Sequence, residues 1–297
     1  MSHLTTGLVH PAPAGPRLAD LAELVRLPAA LTVPGDTLAG AAAAGVPGAR
    51  SLSTPLASVC LYWAGMALND YADRELDRTE RPERPIPSGR VRPRQALAVA
   101  GVLSATGVGL ASLSGRSAAA TATVLAGVVW SYDLALKRGP LGPAAMAAAR
   151  GLDVVLGAAG QGARPRAALA PAALMAAHTA AVTVLSRGEV HGASPAAGRA
   201  ALATTVGTAV AATTLGGRRA LPAALAATYA AGVGRGQAAA AASPDAGTVR
   251  RATGAGIRGM IPLQASLVAG RGAPRTALAL LAVGPLVRAA SKVVSPT

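Results

Sequence analysis

Apolar segments follow one another along almost the whole chain, and this pattern restricts the folds open to it. An α-helix needs about 20 residues to cross a hydrocarbon layer, and most of these alanine-rich segments have that length. Only 14% of the residues are charged, whereas soluble domains carry about 25%. We therefore expect an all-α fold, a polytopic bundle of membrane-spanning helices. The segments cover 24–45, 52–70, 94–114, 117–136, 141–162, 167–185, 197–216, 219–242, 255–270 and 274–291.

One of these segments, 255–270, is too short for a full span and carries Arg258, so it is either re-entrant or half of a longer element. Nine spans are therefore expected, with eight or ten as alternatives. Residues 1–20 are rich in Pro and Gly and lack the basic-then-apolar order of a signal peptide, which predicts a disordered lead-in. The remainder, 21–297, is expected to form one transmembrane domain.

The formal net charge of +15 suggests either nucleic acid or a membrane surface as a partner. The basic residues lie in short clusters between apolar segments, without interleaved aromatic residues. This distribution favours membrane lipids over nucleic acid. The loop 74–94 is the most basic, so the positive-inside rule places it and the N-terminus on the cytoplasmic side of the cell (plasma) membrane.

Four polar side chains lie on one face of the helix that continues the second apolar segment. At about 100° per residue, Asn69, Asp70, Asp73 and Asp77 fall within about 100° of one another. Three like charges on one face repel unless a metal ion or a cationic partner neutralises them. We call this surface the aspartate face.

The segment after the aspartate face is rigid and basic. Pro82, Pro85 and Pro87 exclude a helix, and Ser88-Gly89 predicts a turn. Carboxylates, Mg²⁺ and nearby arginines are the groups that bind a diphosphate, because Mg²⁺ accepts one or two carboxylates together with phosphate oxygens and water. The sequence therefore predicts Mg²⁺ as a cofactor and a diphosphate as its ligand.

The order Asn-Asp-x-x-Asp-x-x-x-Asp at 69–77, followed by Arg-Pro-x-Arg-Pro-x-Pro-Ser-Gly at 81–89, resembles the first aspartate-rich motif of the UbiA superfamily of intramembrane prenyltransferases. That resemblance implies nine helices around a cytoplasm-facing cavity, where a Mg²⁺-bound allylic prenyl diphosphate transfers its isoprenoid to an acceptor. It also implies that Asp70, Asp73 and Asp77 are catalytic metal ligands and that Asn69, Arg78 and Arg84 bind the substrate.

The stretch 130–138 resembles the tyrosine-then-lysine stretch of the same superfamily. The resemblance makes Tyr132, Lys137 and Arg138 substrate-binding residues. The alternative is that Lys137 and Arg138 are positive-inside anchors and that Tyr132 belongs to the aromatic belt at the membrane interface.

The third loop on that side, 186–192, departs from the superfamily pattern. A second aspartate motif is expected there, but the chain offers one carboxylate, Glu189, with Arg187 and His191 beside it. Arg187 and Glu189 are assigned to substrate binding. Either one metal ion with arginines suffices, or the activity is altered or lost. His191 is either an acid–base or metal-binding residue or a solvated loop histidine.

Charge is unfavourable inside predicted spans, and the charged residues there include Asp36, Arg150 and Asp153. Arg150 and Asp153 are three positions apart, so they either pair with each other or face a cavity. Asp36 follows Pro34-Gly35 in the first span. It either contacts the acceptor substrate or a headgroup, or it is a polar residue at a kink of the helix.

Three classes of function agree with these features. The first is Mg²⁺-dependent transfer of a prenyl group to a small or lipophilic acceptor. The second is a non-catalytic membrane protein that binds a lipid diphosphate, and the third is a transporter with aspartate relays. The sequence leaves open the isoprenoid length and the acceptor, whether quinone ring, lipid, tetrapyrrole or polyol.

Overall fold

The computed structural model describes residues 16–45, 52–217 and 219–290, and these residues form helices joined by short loops, with no strand among them. The expected all-α bundle is confirmed. The α-helices are α1 Leu18–Leu24, α2 Pro34–Ala44, α3 Ser53–Glu80, α4 Pro93–Ser112, α5 Arg116–Ser131, α6 Gly142–Ala159, α7 Leu169–Ser186, α8 Pro195–Leu215, α9 Ala220–Ala242, α10 Ala246–Gly270 and α11 Pro274–Ala290; short 3₁₀ helices occupy Leu27–Thr32 and Pro165–Ala168, and a π-helical turn occupies Tyr132–Leu136.

Local sequence signals fix where several helices begin. Pro93 and Pro195 occupy the first helical positions of α4 and α8, where a missing N–H removes no helical hydrogen bond. Asp245 caps α10 by accepting a hydrogen bond from the Thr248 N–H at 3.0 Å. Because of this cap, α10 begins nine residues before the predicted segment 255–270, which is therefore half of a longer helix.

The first predicted span, 24–45, is interrupted. After α1 the chain passes through a 3₁₀ helix, and α2 starts at Pro34, whose ring and missing N–H prevent a continuous helix through this point. Arg26, at the break, adopts a left-handed backbone conformation with φ 49°, which is uncommon outside glycine. Most of the predicted lead-in 1–20 lies outside the described residues, and α1 begins within it at Leu18.

Two glycines let α2 and α6 approach closely. A methyl group on Gly40 would lie 1.7 Å from the Val154 carbonyl oxygen, and one on Gly157 would lie 1.8 Å from the Thr37 carbonyl oxygen. Such contacts are possible only without side chains, as in the small-residue packing of membrane helices. The main apolar core connects this pair with α7–α11.

Nine described α-helices, α3–α11, contain 16 or more residues each. By length and composition alone, three helical segments of the described part could cross a membrane: Pro93–Ser112, Arg116–Leu136 and Arg166–Ser186. Helix α3 is the longest at 28 residues, and its second half carries the aspartate face.

Candidate functional site

The three aspartates of the aspartate face differ in burial. Asp70 and Asp77 are 3% and 1% exposed, whereas the side chain of Asp73 is 18% exposed. Ionised carboxylates at this burial require partners. Each of them has at least one, and the partners come from three different segments of the chain.

Arg84 joins the two buried aspartates. Its guanidinium donates to Asp77 at 2.8 Å and lies 3.5 Å from Asp70. The proline-bounded loop after α3 places it there, since the chain turns at Gly89, which has φ 77°. Arg26 donates to the same oxygen of Asp70 at 2.9 Å. The predicted non-helical loop and its turn are confirmed.

Asp73 receives its partners from the stretch after α5. The Lys137 ammonium lies 2.7 Å from one carboxylate oxygen, and Arg138 donates to the other at 2.9 Å. Asn69 adds a hydrogen bond of 3.2 Å from its amide. The π-helical turn Tyr132–Leu136 precedes this basic pair and ends α5 beside the aspartate face. Lys137 is mostly buried, and no further hydrogen-bond partner of its Nζ lies among the described residues.

Other predicted site residues lie further from the three carboxylates. Arg78 is exposed and pairs with Glu75. Arg187 donates to the Gly139 carbonyl, which places it against the loop of Lys137. The backbone carbonyl of Glu189 accepts from Arg250 at 2.9 Å, and no ion pair of its carboxylate occurs within the described residues. Tyr132 lies within electrostatic range of Asp73 and Arg187.

Two residues next to the aspartate face were not singled out from the sequence. Arg26 lies at the start of the first apolar segment, a position usually explained by positive-inside anchoring. Asp133 is 5% exposed and lies within electrostatic range of Lys137, Asp73 and Asp70. For Asp133 the available signal was a carboxylate one helical turn, four positions, before Lys137. The role of Arg26 could not be predicted from the sequence, because its contact with Asp70 becomes visible only in the folded structure.

Arg150 and Asp153 do not form the local ion pair that was one of the two predicted alternatives. Arg150 bonds Asp36 of α2 at 2.5 Å and does not pair with Asp153, its neighbour on α6. Asp153 instead accepts a hydrogen bond from Ser58 at 2.6 Å. The sequence spacing suggested a local pair, but the fully buried Asp36 is available to Arg150, which is its one ion-pair partner in the described part of the chain.

Ion pairs also join the loop after α3 to α1. Arg90 donates to Asp20 at 2.8 Å and to Glu23 at 2.6 Å, and it reaches the Glu83 carbonyl at 2.6 Å. The hydrogen bond from Arg90 holds the pKa of the Asp20 carboxyl below its ordinary value. These contacts hold α1 beside the segment that carries Arg84.

The donor set of the aspartate face fits Mg²⁺. No group of three acidic, histidine or cysteine side chains in the described part of the chain lies close enough to hold a metal ion by itself, because each aspartate is turned to a cation. Mg²⁺ needs only one or two carboxylates when phosphate oxygens and water complete its shell. The partly exposed Asp73, with Asn69 beside it, meets that need, and the basic side chains suit the phosphate oxygens.

The fold and this site define a class: helical integral membrane proteins with an acidic helix face opposed by basic side chains. The sequence pattern of the UbiA prenyltransferase family matches residues 30–253, and the chain belongs to this family. A digeranylgeranylglyceryl phosphate synthase of Halobacterium salinarum is 39% identical over 199 residues, 63% of this chain and 69% of that protein.

Other similar proteins match a smaller part of the sequence or share only the fold. The synthase of the same name from Methanopyrus kandleri is 39% identical over 100 residues, 32% of this chain and 37% of its own length, so the chain spans little more than a third of that relative. The structure of a UbiA homologue from Archaeoglobus fulgidus bound to GPP and Mg²⁺ matches with a TM-score of 0.59 at 13% identity, over 89% of this chain and 99% of that one.

Proposed function

We propose that this protein is an intramembrane prenyltransferase that uses Mg²⁺ to transfer the prenyl group of an allylic prenyl diphosphate to an acceptor. One observation carries the proposal: three carboxylates on one helix face are each held by basic side chains brought from Arg26, Arg84 and the pair Lys137–Arg138. When a metal ion and a diphosphate bind, these ion pairs can separate. The carboxylates then coordinate the metal ion, and the basic side chains bind the phosphate oxygens.

In this proposal the four cations move their hydrogen bonds from carboxylates to the diphosphate. Lys137 and Arg84 are mostly buried, so their charges act through a medium less polar than water and stabilise the negative charge that grows on the leaving group. Asp70, Asp73 and Asp77, with Asn69, would hold Mg²⁺, which supplies further neutralisation of that charge when bound.

The surrounding helices contribute by excluding water. The donor C–O bond breaks with its electron pair on the diphosphate, and the allylic carbon bonds to the acceptor. Water at this carbon would instead hydrolyse the donor, and a bundle lined by Ala, Val, Leu and Met keeps it out. The digeranylgeranylglyceryl phosphate synthases and the GPP-bound homologue support a prenyl diphosphate as the donor. The basic loop 74–94 supports a plasma-membrane location with this site on the cytoplasmic face.

The test is diphosphate release in membrane vesicles supplied with labelled geranyl diphosphate, Mg²⁺ and a crude cell extract as the source of acceptor. Wild-type protein is expected to release diphosphate and form a labelled product, and Asp73→Ala is expected to do neither. Glu75→Ala is the matched control, since Glu75 is an exposed carboxylate of the same helix paired with Arg78. Activity retained in Asp73→Ala contradicts the proposal, and binding without release favours the non-catalytic alternative.

A further inference from the structure

An apolar groove lies between α1 and α4 on the outside of the bundle. Its volume is about 500 Å³, and every side chain that lines it is aliphatic or aromatic. Leu18 and Leu21 of α1 line one side, Val99 and Val102 of α4 line the other, and Trp63 of α3 completes the lining. Leu18 is 85% exposed and Val102 is 65% exposed, so the groove opens outward. We call it the α1–α4 groove.

The two sides of α1 differ in what they contact. At about 100° per residue, the groove-lining residues of α1 centre on one side of the helix, and Asp20 and Glu23 lie on the opposite side. Both carboxylates accept hydrogen bonds from Arg90, so the acidic side is already paired. A helix of seven residues depends on packing for its stability. A partner that covers the apolar side therefore stabilises α1, which leads directly into Arg26, the partner of Asp70.

Two basic side chains lie where α4 begins. Arg94 lies one turn before Ala98, the first residue of α4 in the groove, and Arg92 is the residue just before the helix. Both arginines are exposed, and neither forms an ion pair with another residue of the described ranges. The segment 81–94 as a whole carries five arginines and one carboxylate, Glu83. This end of the groove therefore suits an anionic group.

We propose that the α1–α4 groove binds an anionic phospholipid, with one acyl chain along the groove and the phosphate beside Arg92 and Arg94. This ligand matches both properties of the site, because a long apolar chain ends in a single negative charge. A zwitterionic phospholipid supplies the chain without the net charge. A prenyl diphosphate carries more negative charge, and its preferred partners are the carboxylates and the metal ion that belong to the aspartate face. The proposal does not depend on the transferase function.

Trp63 provides a probe within the groove. The chain contains two tryptophans, so Trp130→Phe leaves Trp63 as the one source of tryptophan fluorescence. This protein is reconstituted in phosphatidylcholine vesicles with a rising fraction of phosphatidylglycerol or phosphatidylcholine whose acyl chains carry bromine, which quenches tryptophan at short range. We expect half-maximal quenching at a phosphatidylglycerol fraction about 5-fold or more below that of phosphatidylcholine. Each basic residue beside an anionic lipid favours it by about this factor.

The arginine pair is tested by the double variant Arg92→Gln with Arg94→Gln in the same background. It should be quenched equally by the two lipids, because the charge that selects phosphatidylglycerol is gone. Arg164→Gln with Arg166→Gln is the matched control, since these exposed arginines also flank a proline at the start of a helix. The control should keep the preference. A preference that survives in the first variant, or that is lost equally in both, overturns the assignment.

Three other results would each overturn the proposal by identifying a different occupant. Equal quenching of the Trp130→Phe protein by both lipids means that the groove takes up any surrounding lipid. No quenching by either lipid means that protein covers the groove, whether a second copy or another part of this chain. Relief of the quenching by added geranyl diphosphate means that the groove holds the prenyl donor. The proposed function is judged separately, by diphosphate release.

Discussion

Replacing Arg84 by methionine tests whether the aspartate face is held together electrostatically. The arginine is 6% exposed and bridges Asp70 and Asp77. At an effective dielectric constant of about 20, charges 2.8 and 3.5 Å apart attract by about 6 and about 5 kcal/mol before the unfavourable desolvation is subtracted. Among the described residues, Asp70 would retain Arg26, whereas Asp77 would retain only the half-exposed Arg81 at 4.0 Å.

The expected net effect is a loss of about 3–5 kcal/mol of stability, typical of removing one partner of a buried ion pair. A loss of this size lowers Tm by roughly 10 °C in a protein of this length. Arg138→Met is the matched control. Arg138 also contacts an aspartate of this face, but its side chain is 67% exposed, so its removal should change stability by less than about 1 kcal/mol.

The assay is thermal unfolding of both variants in detergent, with and without Mg²⁺. Because Arg84→Met leaves Asp77 without a close cation and Asp70 with Arg26 alone, Mg²⁺ should raise its Tm more than that of the wild-type protein. Equal Tm values for Arg84→Met and Arg138→Met would refute the electrostatic account. If Mg²⁺ raised all Tm values alike, the ion would not be replacing the missing guanidinium.

Three further predictions concern other contacts. Lys137→Met should raise KM for the prenyl diphosphate about 10-fold or more, measured by label transfer, since the proposed function has this mostly buried cation bind the diphosphate. Gly157→Ala should lower Tm through overpacking worth about 1–3 kcal/mol, whereas Gly127→Ala, in open space on α5, should leave it equal or higher. The depressed pKa of Asp20 means that its contact with Arg90 is fully present above about pH 4, its unfolded value, and is lost as pH falls through the lower folded value. A dye near the start of α1 should show constant anisotropy from about pH 8 to about pH 5 and a fall only in stronger acid.

Much of this architecture could be predicted because it depends on local sequence. The aspartate face follows from helical periodicity, and the loop after it follows from three prolines and a glycine. The start of α10 was missed, although Asp245 is a good helix cap, because Arg250, Arg251 and Arg258 lower the hydropathy of its first half. Hydropathy alone therefore found only the apolar half of this helix.

Contacts distant in sequence could not be predicted. Asp36 and Arg150 are 114 positions apart, and nothing in either segment selects the other until α2 and α6 pack through Gly40 and Gly157. Likewise, Arg26 reaches Asp70 only because the chain breaks between α1 and α2. These pairings depend on tertiary packing, which composition and periodicity do not contain.

The length of α3 has a consequence for how a substrate arrives. Its 28 residues measure about 42 Å, whereas the hydrocarbon core of a bilayer is about 30 Å thick. Set upright in a bilayer, a helix of this length would place one end among the lipid headgroups, and under the proposed function this is the end that carries Asp73 and Asp77. A prenyl diphosphate anchored by its tail holds its charged end at the same depth. It would then reach Asp73 by lateral diffusion in two dimensions, and turnover would follow its mole fraction among the lipids, falling when inert lipid is added at constant bulk concentration.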